Sequence, residues 1–270
     1  MNDGSGARPE FGAFIGRELR RAFRSPYETP LVVLVNGLLM TAAWFFLPTG
    51  AQDALFSLHG DFAFALVLSS WMYADVPATN VLGTGARASL ENLADARGLR
   101  RLLIARNVVL WLFVTPICVA VAIGVGIYEA NAARTFAVIV AIVVPPFGAL
   151  GISAWLGIVC PYHPIPLAER WRLRYTSRWH MLGRWFALVL LPYGIVPVLA
   201  VVTVLPAYGL WAATGHGLHG HIGDGRFALG VLVTVGVSLV MWIGGLWVTL
   251  RLVRRRRARL AEYLADPSRG

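Results

Sequence analysis

Few residues of this chain are placed to do chemistry, and Asp75 is the first. It stands about halfway along an apolar tract running from Phe62 to about Gly83. A carboxylate at that depth in lipid is costly and usually faces a partner or a water-filled path, so it could carry a proton. Asn80 follows in the same tract and could hydrogen-bond it, which favours a purely structural role. Asn36 is the one polar interruption of the tract before. His216, His219 and His221 lie in a glycine-rich stretch with Asp224. Imidazoles at such spacing could hold a metal. No residue that would orient them can be named, however, and a polar loop is the better reading. Gly83-Thr-Gly85-Ala-Arg-Ala88 matches the spacing of a dinucleotide-binding turn. That turn follows a strand, whereas this one follows an apolar tract of membrane-helix length, so the match is rejected.

The remaining chemistry is excluded by what the chain lacks. No HExxH, GxSxG, paired-acid or spaced-cysteine pattern occurs. All 24 Lys+Arg are arginine, so there is no P-loop lysine and no Schiff-base lysine. Neither a catalytic residue nor a cofactor is expected in this chain; if ATP drives it, another chain hydrolyses that ATP. Cys118 and Cys160 read as small packing residues.

The elements that must position these residues are apolar helices. Hydrophobic residues make up 57% of the 270 residues and charged residues 14%, well below the roughly 25% charged of a soluble domain. The net charge of +10 could suit nucleic acid. The arginines say otherwise. All but Arg134 and Arg226 fall in four clusters, 8–24, 87–106, 170–184 and 251–269, with two apolar tracts between each consecutive pair. Two crossings per gap keep every cluster on one side, and positive charge in short loops stays inside. The expectation is an all-α polytopic protein of the cytoplasmic (inner) membrane with six transmembrane helices and both termini inside. Anionic lipid, not nucleic acid, is the partner for its charge.

Along the chain, residues 1–26 form a cytoplasmic tail and an amphipathic helix. Phe11, Phe14, Ile15, Leu19, Ala22 and Phe23 recur at helical spacing, with Arg17, Arg20, Arg21 and Arg24 largely opposite. Such a helix lies in the membrane interface with its guanidinium groups at the phosphates. A six-helix domain over 27–252 follows, with spans at about 29–47, 62–83, 107–128, 135–159, 186–205 and 227–250. Pro145-Pro146 must kink the fourth span. The apolar stretch past Pro206 to Ala213 is too long for one straight crossing and reads as a re-entrant segment between spans five and six. The inner loop 160–184 interleaves tryptophan and arginine, as headgroup-level segments do, but has no assigned role. Residues 253–270 are a basic cytoplasmic tail.

Segment 84–106 is the most specific. Helical spacing puts Leu90, Leu93 and Ala94 on one face and Glu91 and Asp95 on another. Gly98 is expected to end that helix before Leu99 leads into the third span. Ser89-Leu-Glu91-Asn-Leu93, followed thirteen residues later by Arg106, resembles ABC-2 type exporter permeases, which show Gly-Thr-Leu-Glu-x-Leu there and a basic residue before the third span. Ala88 replaces the usual Gly, and Arg97 stands near the usual Pro. The resemblance implies that 86–98 form a coupling helix seated in a separate ABC ATPase subunit. Ser89, Leu90, Glu91, Leu93 and Asp95 would make the contact, with Glu91 at its centre. It also implies a homodimer or heterodimer of permeases with cargo moving between spans one, two and five. The apolar, aromatic character of those spans suits an amphipathic drug, a lipid or a lipid-linked glycan. A proton-coupled carrier using Asp75, and a membrane scaffold without transport, remain the alternatives.

Overall fold

The computed structural model describes residues 11–24, 27–55, 60–74, 76–159, 161, 163, 179–213 and 225–266. In chain order these form α1 (Phe11–Ala22), α2 (Glu28–Phe46), α3 (Thr49–Leu55), α4 (Asp61–Tyr73), α5 (Val76–Thr79) and a 3-10 turn at Gly83–Gly85. Then come α6 (Ala86–Asn92), α7 (Ala96–Tyr128), α8 (Ala132–Val143), α9 (Pro145–Ser153), α10 (Leu156–Val159), α11 (Trp179–Ala213) and α12 (Gly225–Ala265). No strand occurs among the described residues. Five stretches are long and apolar enough to cross a membrane: Thr29–Phe46, Ala96–Tyr128, Ala132–Val159, Leu190–Ala207 and Ala228–Ala265. Their outward surfaces are apolar, with Leu38, Phe46, Ile127, Leu232 and Val240 among the most exposed side chains. Side chains this apolar over this much surface belong in lipid.

The crossing expected at 62–83 is not one helix. Pro77 has no N–H to donate to the carbonyl of Tyr73, and α4 ends there. The chain resumes in the four residues of α5, with Pro77 in the first turn, where no donor is required. At 13 residues, α4 is about 20 Å long, short of the ~30 Å hydrocarbon core.

The fourth crossing also breaks, at the proline pair anticipated there. Phe147 N bonds back to Val144 O at 3.2 Å rather than to Val143 O. The exposed polar groups find partners on neighbouring helices. Trp111 Nε1 donates to Val143 O at 3.0 Å. Ser238 Oγ donates to Val144 O at 2.7 Å and accepts from Gly148 N at 3.1 Å. In lipid, where water cannot satisfy a freed carbonyl, such stitching is what makes the break tolerable.

Residues 206–213 are not a separate re-entrant segment, because α11 runs unbroken through Pro192, Pro197 and Pro206 to Ala213. Each proline deletes one backbone bond, and without water to compete for the freed carbonyls the flanking bonds hold the helix together. The carboxyl-terminal residues differ from expectation too. Helix α12 continues past its apolar part to Ala265, and Val253, Leu260, Tyr263 and Leu264 are buried.

Two clusters make the core. The larger joins α2, α4, α7, α8 and α9 through Met40, Met72, Tyr73, Val114, Ile142 and Leu150. The second, at the end carrying both terminal helices, gathers Val81, Leu82, Leu93, Leu99, Leu103, Ile158, Leu246 and the buried stripe of the α12 tail. Helices α9 and α12 approach backbone to backbone at Gly151 and Gly245. A Cβ at Gly151 would stand 2.6 Å from Trp242 Cα, so only glycine fits. Helix α1 is amphipathic as expected, yet one stripe of it (Phe14, Glu18 and Ala22) is buried. Phe23, just beyond it, meets Phe113 of α7 with ring centroids 5.2 Å apart. Phe11, Leu19 and Phe23 stay exposed.

Candidate functional site

The short helix α6 is held from behind by polar and apolar contacts. Its Ser89 is fully buried and donates to the carbonyl of Leu82 at 2.7 Å. Arg106, one-third of the way along α7 and buried, reaches the same place from below. Its Nη1 donates to Ser89 Oγ at 3.0 Å and to the carbonyl of Val81, and its Nη2 to the carbonyl of Gly85 at 3.3 Å. Its Nε donates to Glu18 Oε2 of α1 at 3.2 Å. Arg21 grips the same oxygen at 2.7 Å. One buried carboxylate thus serves two guanidinium groups, and one guanidinium bonds α1, the turn at 81–85 and α6 together. Thr29 of α2 borders the small recess beside this node. Gly85 lies close under the node: a Cβ there would lie 2.6 Å from Arg21 Nη1, so a side chain would displace the guanidinium tips. Taking such charges out of water is expensive, and each becomes a liability if its partner is lost.

The apolar support comes from the other side. Leu93 packs in one cluster with Leu99, Leu260 and Leu264. Tyr263, in the same cluster, is stacked by His163 at 4.8 Å, and His163 Nε2 bonds Tyr263 O at 2.8 Å. These contacts correct the facing of α6. Leu90 and Leu93 do not share a face: Ser89 and Leu93 are buried, while Leu90, Glu91, Ala94 and Asp95 are exposed. Glu91 pairs with Arg87 across one turn at 3.3 Å, both in solvent. Asp95 caps α7, accepting from Arg97 N at 2.9 Å.

Gly98 does not end the coupling segment. It sits in the first turn of α7, where a Cβ would stand 2.5 Å from Asn92 Oδ1 and 3.1 Å from Asp95 Oδ2. Glycine there lets the α6–α7 turn close over the helix start. The result is an exposed, mixed apolar and acidic turn whose base is fixed to α1, α7 and α12. Among the described residues this turn brings together no group set to make or break a bond.

The arginines at 17–24 divide. Arg17 stacks over Phe14 at 4.6 Å and is exposed, as are Arg20 and Arg24, whereas Arg21 is drawn inward to Glu18. Asn36 lies in a polar cluster between α2, α4 and α11. It donates to Trp71 O at 3.2 Å and accepts from Tyr193 at 2.7 Å, and the Trp71 and Tyr193 rings meet edge-on at 5.0 Å. Asn80 is buried just after α5, with α10 so close that a Cβ at Gly157 would stand 3.1 Å from Asn80 Cα. Asp75, His216, His219 and His221 lie outside the described residues, as does most of loop 160–184. Among the described residues, no three His, Cys, Asp or Glu side chains come together to hold a metal. Sequence reasoning missed Glu18, His163 and Tyr193. Only Glu18 carried a local signal, its position one turn from both Phe14 and Ala22.

No protein-family model, curated protein or solved structure matches this chain.

Proposed function

We propose that this chain is the membrane permease subunit of an ATP-driven exporter of the ABC-2 type, with both termini on the inner side of the cytoplasmic membrane. The observation that supports this most is the outward face of α6 and its turn. Leu90, Glu91, Ala94 and Asp95 are exposed on a segment anchored behind by Arg106, Ser89 and Leu93. A firmly based, exposed turn of mixed character suits a groove in a soluble partner. On this reading the partner is an ABC ATPase, and ATP is bound and hydrolysed there. Closure of the ATPases pushes on 86–98. The rigid node passes the movement to α1 and α7, and onward to α2, α4 and α11, where Asn36, Trp71 and Tyr193 meet. Two permeases face each other across those helices. An amphipathic drug, a lipid or a lipid-linked glycan is the cargo class.

The test is Glu91→Arg. Its side chain is 63% exposed and its pair with Arg87 is a surface one, worth at most about 1 kcal/mol, so folding is expected to be unchanged. Like charge pressed into an interface costs several kcal/mol, so co-purification of the ATPase is expected to weaken by more than about a hundredfold. A variant that assembles with the ATPase as the native chain does contradicts the proposal. Export by the native protein is expected to survive an uncoupler while ATP persists; the Asp75-coupled carrier would stop.

A further inference from the structure

Helix α12 leaves its apolar part at Leu250 and continues unbroken for fifteen more residues, Arg251 to Ala265. Arg254, Arg255, Arg256 and Arg257 are all exposed, and none makes an ion pair with a described residue. Four consecutive helical positions cover about 300° of the circumference. Arg256 and Arg257 flank the buried stripe of Val253 and Leu260, while Arg254 and Arg255 face away from it. A protein partner would meet one side of such a ring; a headgroup layer meets every free side. The height agrees. These residues lie about 6 to 10 Å beyond Leu250 at 1.5 Å per residue. The polar layer of a bilayer is about 5 to 7 Å deep on each side, and arginine's long stem bridges the difference. The same helix then supplies Leu260, Tyr263 and Leu264 to the bed beneath Leu93 of α6.

We propose that Arg254 to Arg257 form a binding collar for anionic glycerophospholipid, and that its occupancy fixes the α12 tail and so holds the α6 turn in place. Anionic lipid thereby regulates the docking segment. The inference rests on the inner-side placement proposed above, but its test needs no ATPase.

The full-length protein is placed in nanodiscs of phosphatidylcholine alone or with phosphatidylglycerol, and amide exchange is followed over 86–95. Phosphatidylglycerol is expected to slow that exchange by about tenfold, which corresponds to about 1.4 kcal/mol, because the anionic surface attracts the collar arginines. The R254Q/R255Q/R256Q/R257Q variant is expected to lose the effect and to retain less phosphatidylglycerol in native mass spectrometry. R17Q/R20Q/R24Q, which removes exposed arginines of α1 and the turn after it, is expected to keep it. Exchange over 109–118 of α7 shows that each variant is folded. Three outcomes overturn the proposal: no lipid dependence in the native chain, the same dependence in the collar variant, or its loss only in the α1 variant. Probing the collar from each face of sealed vesicles with a membrane-impermeant reagent separates failure of the topology from failure of the collar.

Discussion

Glu18→Ala is expected to lower stability by about 3 to 5 kcal/mol, the cost of leaving a buried guanidinium without its carboxylate. The same change is expected to free α1 from α7. Arg106 is only 6% exposed, and Glu18 Oε2 at 3.2 Å is its one oppositely charged partner among the described residues. Arg21 loses its grip at the same time. Thermal unfolding in detergent reads the first effect, and proteolysis after Arg20 or Arg21 reads the second. Glu18→Gln keeps the shape and still accepts a hydrogen bond, so a smaller loss is expected. The double variant Glu18→Leu, Arg106→Met separates stability from organisation. Two apolar residues in place of a buried pair are often neutral, so unfolding is expected to recover in part. The bonds to Ser89 and to the carbonyls of Val81 and Gly85 are gone, however, and the α6 turn is expected to stay loose. A Glu18→Ala protein as stable as the native one, with α1 still protected, contradicts the node.

The second large effect is steric. A Cβ at Gly245 would fall against the backbone carbonyl of Gly151 and 2.7 Å from Ile152 N. Backbone cannot move aside as a side-chain tip can, so α9 and α12 must separate. Gly245→Ala is expected to destabilise by about 1 to 3 kcal/mol, and Gly245→Leu to abolish the folded, monodisperse protein in size-exclusion chromatography. Its neighbour provides the control. A Cβ at Gly244 meets nothing within 4 Å, so Gly244→Ala is expected to be neutral or to stabilise by up to about 1 kcal/mol through helix propensity. Equal effects at the two positions contradict the close packing of α9 on α12.

Much of this was legible in residue types because lipid allows so few backbone solutions. Apolar tracts had to be helices, and Pro145-Pro146 had to break one. Ser89 and Arg106, chosen from sequence seventeen positions apart, meet at 3.0 Å. What failed did so for identifiable reasons. Glu18 stands between Phe14 and Ala22 on the apolar stripe, where a carboxylate announces a buried partner, but the partner is 88 residues away in sequence. The facing of α6 could not be read from seven residues. It is decided by Leu260 and Leu264, which reach it only because α12 continues as a helix where a basic tail was expected. Gly98 reads as a helix stop on its own; its real neighbour, Asn92, becomes visible only once the turn has closed. Pro77 carried the signal for the break after Tyr73, but the surrounding apolar run outweighed it.

A photoreactive amino acid placed at Ala94, irradiated in intact cells that make the protein from its native locus, reports what the exposed turn touches. An adduct with a separate chain carrying nucleotide-binding ATPase motifs, lost when Glu91→Arg is added, is the predicted result. Adducts with lipid alone, or with proteins that bind no nucleotide, unchanged by Glu91→Arg, contradict the assignment of this turn as the site where ATP-driven force enters the membrane.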